Sequence, residues 1–129
     1  MVCLETSFLI DLLDDEVPER VLEEVDESQE VTVSAVAAAE VWVGAHYEGD
    51  TAIETARELL DSLVWLDVSR TVAYRAGKLQ AELKQEGDPV GFIDCIIAAT
   101  AMESGERLVT RDSDYERFSQ LETLTYDVQ

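Results

Sequence analysis

Lysine occurs only twice in this chain of 129 residues, at Lys78 and Lys84, and the nine basic residues in total face 29 Asp and Glu, for a formal net charge of −20. No run of Lys and Arg lies along the sequence to take the place of phosphate counterions, which argues against a conventional basic nucleic-acid binder. Histidine occurs once, at His46 near a polar helix end, and no Ser/His/Asp or Cys/His arrangement can be built around it. Cys3 and Cys95 form no CxxC and are too few for a disulfide scaffold. Both sit among apolar neighbours and read as small buried hydrophobes in a reducing compartment. The six glycines form no GxGxxG or Walker loop, so nucleotide binding has no support. No apolar run approaches the roughly 18–20 residues a bilayer requires, which excludes a membrane span. The start of the chain has no basic region and no cleavage site ahead of an apolar stretch, and this predicts a cytoplasmic location.

What is present is a foldable chain. Hydrophobic residues make up 47%, so the acidity is not the low-hydrophobicity signature of disorder. The length predicts one domain, 1–129, with a proper core. Acids spread along the chain with almost no lysine resemble the surfaces of proteins from salt-accumulating halophiles. At about 1 M salt the Debye length falls to about 3 Å and self-repulsion is screened, whereas in dilute buffer the same surface destabilises the compact state. An acidic protein of ordinary salt is the plainer alternative. Either way acids are so common here that one is informative only where a solvated surface cannot explain it.

Hydrophobic patterning predicts an order of elements. Val2–Glu5 reads as a buried strand leading into a helical turn at Phe8–Leu13, and Pro18 suits the first turn of a helix to about Ser28. Glu30–Ser34 (EVTVS) alternates as a strand, and Ala35–Tyr47 is a long apolar helix ended by Gly49 and Asp50. An amphipathic helix over 51–63 precedes a strand at Val64–Val68 (VWLDV), and Ser69 can cap a helix running to Gln85. After a loop with Gly87 and Pro89, a helix over 92–104 stops at Gly105, followed by strands at Arg107–Thr110 and Glu122–Tyr126. Short strands alternating with helices predict an α/β, three-layer domain with a parallel sheet of four to five strands. In such sheets ligands lie at the carboxyl ends of the strands.

Four acids occupy places where solvation fails as an explanation. Glu5 ends the first strand between VCL and the apolar FLI; Glu40 sits in AVAAAEVWVGA, with Val36, Ala37, Val43 and Gly44 on its side of the helix. Asp94 has Ile97 and Ala98 at i+3 and i+4, and Asp112 directly follows the fourth strand. An unpaired buried carboxylate costs several kcal/mol or protonates, and a cluster is tolerable when a divalent cation supplies positive charge. Hard oxygen ligands fit Mg²⁺ or Mn²⁺ and not zinc. Alternatives stand beside each: Asp94 could merely complement its helix dipole, and Asp112 could be a turn or cap residue. Ser113 and Glu116 read as an S-x-x-E capping box that would relieve Asp112 of capping, leaving Asp114 as a second candidate. Trp42, Tyr47 and Trp65 read as core or partner-interface residues.

The segments LETSFLIDLL, SAVAAAEVWVGA and FIDCIIAATAMESGERLVTRDSDYERF, in this order, resemble the PIN-domain ribonucleases, specifically the VapC-type toxins of toxin–antitoxin pairs. The resemblance spans essentially the whole chain. It implies a Mg²⁺- or Mn²⁺-dependent endoribonuclease whose catalytic acids are Glu5, Glu40, Asp94 and Asp112. Glu5, Asp94, Asp112 and Asp114 are the implied metal ligands, and Thr6 and Thr110 are hydroxyl supports. It also implies an RNA substrate, a small VapB-like antitoxin and a homodimer. One position departs: the family has Asp where this chain has Glu5, and the extra methylene shifts a carboxylate by about 1.5 Å, in a setting where about 1 Å can cost about two orders of magnitude in rate. Arg111 and Arg117 flank the acids and could position phosphate, with Arg75 and Lys78 behind them; ordinary ion pairing is the alternative for all four. A degenerate, non-catalytic PIN domain that docks a protein partner through Trp42, Val43 and Tyr47 is the second reading. A receiver-type phosphoacceptor is disfavoured, because no Lys follows a late strand and no acidic pair opens the first.

Overall fold

The computed structural model describes residues 1–127. Its elements alternate as the patterning predicts: β1 (Val2–Leu4), α1 (Thr6–Leu13), α2 (Glu19–Asp26), β2 (Val31–Ser34), α3 (Ala35–Glu48), α4 (Asp50–Asp61), β3 (Val64–Leu66), α5 (Arg70–Gln85), α6 (Phe92–Glu103), β4 (Arg107–Thr110), a 3₁₀ turn (Ser113–Arg117) and β5 (Thr123–Thr125). The five strands form one parallel sheet in the order β3-β2-β1-β4-β5, flanked by the six helices. The chain winds outward from β1 to β3 and then returns to lay β4 and β5 on the other side of β1. The strand order therefore reverses between β1 and β4, where Leu4 pairs with Val109 and the Glu5 amide extends the ladder to the Val109 carbonyl at 3.0 Å. In open α/β sheets a crevice opens at such a reversal, outside the carboxyl ends of the strands.

The central strands carry the core: Val2, Cys3, Leu4, Val33, Leu108 and Val109 are fully buried together with Phe8, Leu9, Ile97 and Ala98 from the helices. Each fully buried large aliphatic or aromatic side chain contributes about 1.5–3 kcal/mol relative to exposure. The predicted thiol environments hold: both cysteines are free and buried, and burial pushes the Cys3 thiol up to about 12. By contrast β3 lies at the sheet edge with Val64 and Trp65 exposed, the Trp65 indole donating to the Leu60 carbonyl at 2.9 Å. Boundaries shift by one or two residues where caps intervene. The first helix begins at Thr6, not Phe8, because Glu5 caps it, and β3 stops at Leu66 so that Ser69 can accept from the Val72 amide at 3.1 Å. Gly105, at φ +68°, ends α6 in a left-handed conformation that a side chain would strain. Among the described residues, no helix is long and apolar enough to cross a membrane.

Two buried acids escape the sequence reading. Asp11 is 2% exposed within an apolar helical turn, and Glu106 is 4% exposed just ahead of β4. Glu106 accepts from the hydroxyls of Thr32 (2.7 Å) and Ser104 (3.0 Å) through Oε2, while its Oε1 has no partner.

Candidate active site

The crevice at the β1/β4 reversal is built from four elements. Glu5 leaves β1 and folds back to cap α1, so that its Oε1 accepts from the Ser7 amide (3.0 Å), the Ser7 hydroxyl (2.5 Å) and the Thr110 hydroxyl (2.6 Å). The extra methylene is thereby taken up in the cap, and the carboxylate turns toward Ser7 and the end of β4. Ser7 is a hub, since its hydroxyl also accepts from the Arg111 amide at 3.0 Å and so ties α1 to β4. Glu40, on α3, accepts from the Thr6 hydroxyl at 2.7 Å. It stands at the edge of its helix's buried face. Ala37 on that side is buried, but Val43 and Gly44 are exposed, so the apolar face continues onto the surface.

Asp94 lies in the first turn of α6 and accepts from the Tyr115 hydroxyl at 3.0 Å. Tyr115 is fully buried. Desolvation first, and then the negative charges of Glu5 and Asp94, push its phenol far above the usual range, so it stays a donor. Asp112 closes the site: its amide donates to the Thr110 hydroxyl at 3.0 Å, and its Oδ1 accepts from the Asp114 amide at 2.9 Å. The capping-box reading is therefore corrected. Asp112 is the cap of the 3₁₀ turn, Ser113 lies inside it, and Glu116 instead accepts from Thr125 at 3.3 Å. A turn tightened to 3₁₀ spacing brings the amide two residues ahead within reach of Asp112.

A common pattern emerges. Each of Glu5, Glu40, Asp94 and Asp112 commits one oxygen to a protein donor, and its second oxygen has none among the described residues. No salt bridge among the described residues reaches any of the four. Burial, with repulsion from neighbouring acids behind it, perturbs the titration of two of them. Desolvation raises the Glu5 carboxyl against its three donors, with Asp112 adding to the rise. Desolvation likewise raises Asp94, followed by repulsion from Asp112, Glu40 and Asp114. Among the described residues no three such groups stand close enough to form a ready-made metal cage. The donor set itself, four hard carboxylates with free oxygens and no basic partner, fits a hard divalent cation.

The remaining candidates fall at the rim. Asp114 is exposed and pairs with Arg117 at 3.6 Å, and Arg117 also pairs with Asp88 at 3.1 Å. Arg111 directs its Nε to the buried Asp11 at 2.8 Å, Arg75 is ion-paired with Glu103, and Lys78 lies 3.9 Å from Glu82. Ion pairing is thus what these four side chains do in the free protein. His46 is exposed beside Trp42, with no acid or nucleophile of the site near it. Sequence reasoning missed Ser7, Tyr115 and Asp11. The first lies two residues beyond Glu5 and the second in the turn after Asp112, but only folding makes them donors.

A carboxylate-lined crevice at the reversal of a five-stranded parallel sheet defines the class, an α/β protein with an acidic site suited to cation chemistry. The PIN domain model matches residues 2–121, and the chain belongs to the PIN domain family. Among solved structures it is similar to Rickettsia felis VapBC2 bound to a DNA fragment from its promoter, with TM-score 0.87 and 23% identity over 98% of this chain and 100% of that one. It is similar to VapBC-5 of Mycobacterium tuberculosis, a member of the VapBC family of toxin–antitoxin systems, with TM-score 0.71 and 24% identity over 96% and 97% of the two chains. M. tuberculosis VapC20, a Sarcin-Ricin loop cleaving toxin, matches with TM-score 0.71 and 17% identity over 91% and 94%. At these identities the likeness is one of fold. Comparison with curated proteins gives no significant match.

Proposed function

We propose that this protein, as one domain over 1–129, is a divalent-metal-dependent endoribonuclease acting in the cytoplasm as the toxin of a VapBC-type pair. The observation that carries the reading is the set of four carboxylates, each with one oxygen held and one free, gathered where the strand order reverses without a basic partner. Glu5, Asp94 and Asp112 would hold Mg²⁺ or Mn²⁺, with Asp114 in reserve at the rim. A bound divalent cation lowers the pKa of an attacking water and stabilises developing charge on the leaving oxygen. The chain's own part is positioning. Thr6 orients Glu40 for proton transfer, Tyr115 fixes Asp94, and the Ser7–Thr110 hydroxyl pair keeps Glu5 against the end of β4. No side-chain nucleophile is required, in keeping with the absence of a triad around His46.

The antitoxin reading rests on a neighbouring groove of about 470 Å³ between α1, α3 and α4, lined by Ile10, Leu13, Val41, Ala45 and Tyr47. Glu40 also lines it, so an apolar segment seated there reaches the acids. Val43 and Tyr47, 62% and 90% exposed, extend the apolar surface and suit either that partner or a homodimer. A non-catalytic docking module is favoured over a nuclease by one observation, the saturation of one Glu5 oxygen by three donors.

Manganese titration with RNA cleavage decides between them. The wild type binds Mn²⁺ and cleaves; Asp94→Ala loses both by at least about two orders of magnitude, and Glu40→Ala loses cleavage to a similar degree. Cleavage persisting unchanged in both variants defeats the nuclease assignment. Glu5→Asp, which restores the family residue, raises cleavage by at least about tenfold if the cap-bound Glu5 attenuates the site.

A further inference from the structure

Asp11 is buried in the second turn of α1, between Ile10 and Leu12. A buried carboxylate must be matched by a partner, and replacing even a matched buried pair by apolar residues is often neutral or stabilising. Stability by itself therefore gives no reason for an acid at this position. Its partners give another. Asp11 Oδ2 accepts from the Arg111 Nε and from the Tyr126 hydroxyl, both at 2.8 Å, and Arg111 stands immediately before Asp112. The segment 110–112 is tied to α1 and its cap at each residue. The Thr110 hydroxyl donates to Glu5 Oε1 at 2.6 Å. The Arg111 amide donates to the Ser7 hydroxyl at 3.0 Å, and that hydroxyl donates to the same Glu5 oxygen. The Asp112 amide donates to the Thr110 hydroxyl at 3.0 Å. Two successive amides thus reach one Glu5 oxygen, each through one hydroxyl. The Arg111–Asp11 pair goes deeper, to a helical turn beyond the cap. Asp112 has less of its own: one oxygen takes the amide of the exposed Asp114, and the other has no donor among the described residues. Its charge acts on both Glu5 and Asp94, so in the absence of a cation like-charge repulsion works against its place in the crevice.

We propose that Asp11 and Arg111 are positioning residues for the cation site: their pair clamps residue 111 to α1 and so fixes Asp112 beside Glu5. The clamp rests on the metal-dependent nuclease reading and deepens it, since it places the control of one ligand outside the crevice. Neither residue needs to touch the cation. Groups that orient a metal ligand from behind typically cost 10–100-fold in metal affinity when they are removed. Contact of the Arg111 guanidinium with an RNA phosphate is the competing use of this side chain, and it is the weaker one because Nε is already committed to Asp11.

The test measures Mn²⁺ affinity of the full chain by electron paramagnetic resonance of the free ion, well below the melting temperature. Arg111→Met, which keeps the aliphatic stem and loses the charge, weakens binding at least about tenfold. Asp11→Asn does the same, and the double variant Asp11→Asn, Arg111→Met binds no more weakly and no more tightly than either alone. Arg111→Lys, which keeps a cation for Asp11, recovers most of the affinity. Arg111 is exposed, so its variants decide the matter if Asp11→Asn fails to fold. In an Asp112→Ala background the weaker residual Mn²⁺ binding is unaffected by Arg111→Met, because the clamp acts through Asp112. In the metal-free protein, Arg111→Met speeds hydrogen exchange at the Asp112 amide by a factor at least about tenfold larger than at the Val33 amide in β2. Unchanged Mn²⁺ affinity in Arg111→Met and Asp11→Asn overturns the clamp and leaves the nuclease reading standing. An equal loss in the wild-type and Asp112→Ala backgrounds also overturns it, since the pair then only supports the fold. Restored affinity in the double variant overturns it too, by showing that Asp11 merely keeps the guanidinium off the acids. Unchanged Mn²⁺ affinity beside weakened oligouridylate binding in the chelator-treated Arg111→Met protein assigns the guanidinium to phosphate and not to the clamp. A wild type that binds no Mn²⁺ instead overturns the metal-dependent reading, and the clamp with it.

Discussion

Three donors converge on one oxygen of Glu5, yet its carboxyl remains harder to ionise than usual because burial outweighs them. The consequence for stability follows from linkage. The ordinary value is 4.5 and the folded value is raised, so the folded state keeps this proton to higher pH than the unfolded chain. The contribution to stability is full below 4.5 and is lost as pH rises through the raised folded value. Glu5→Gln keeps an acceptor for the same donors but cannot ionise. In metal-free buffer we therefore expect the melting temperature of Glu5→Gln minus that of wild type to grow between about pH 4 and about pH 8. A difference that stays flat across that range contradicts the burial argument. Saturating Mn²⁺ should shrink the gap by stabilising only the ionised wild-type site.

Helix α1 is fastened to the sheet by more than its apolar face. Asp11 accepts from the Tyr126 hydroxyl at 2.8 Å, just beyond β5, and pairs with Arg111 at 2.8 Å, just beyond β4. The Tyr126 ring also packs edge-on against Phe8 at 6.0 Å. One buried carboxylate thus ties the start of the chain to the segment that presents Asp112. Tyr126→Phe preserves the ring contact and removes one donor from a buried charge. It should lower the unfolding free energy by about 1–3 kcal/mol, read from the urea midpoint with the slope unchanged. An unmoved midpoint would show that Arg111 alone satisfies Asp11.

Over the entire protein the charge of −20 sets the conditions of function. Most acids lie exposed, and the described ion pairs are chiefly surface contacts, which contribute about 0–1 kcal/mol each. Self-repulsion then dominates in dilute buffer, so the melting temperature should rise steadily as KCl approaches about 1 M. Cleavage should first rise with salt or divalent cation and then decline as contacts to phosphate are screened. A rate that only falls from dilute buffer upward would sink this expectation. We propose on the same grounds that the surface is tuned to a salt-rich interior.

Composition and periodicity were enough to place every strand and helix to within about two residues, because short buried strands and amphipathic helices leave direct traces in apolar spacing. They also singled out Glu5, Glu40, Asp94 and Asp112, since a carboxylate among Ala, Val and Ile has no cheap explanation. Folding settled what spacing cannot express. Whether Asp112 or Ser113 caps the turn depended on 3₁₀ geometry, and Asp11, which apolar spacing did not single out, is met by Tyr126, 115 positions away. Local pattern reports a residue's neighbours along the chain, whereas donors, caps and charge patches are set by neighbours across it.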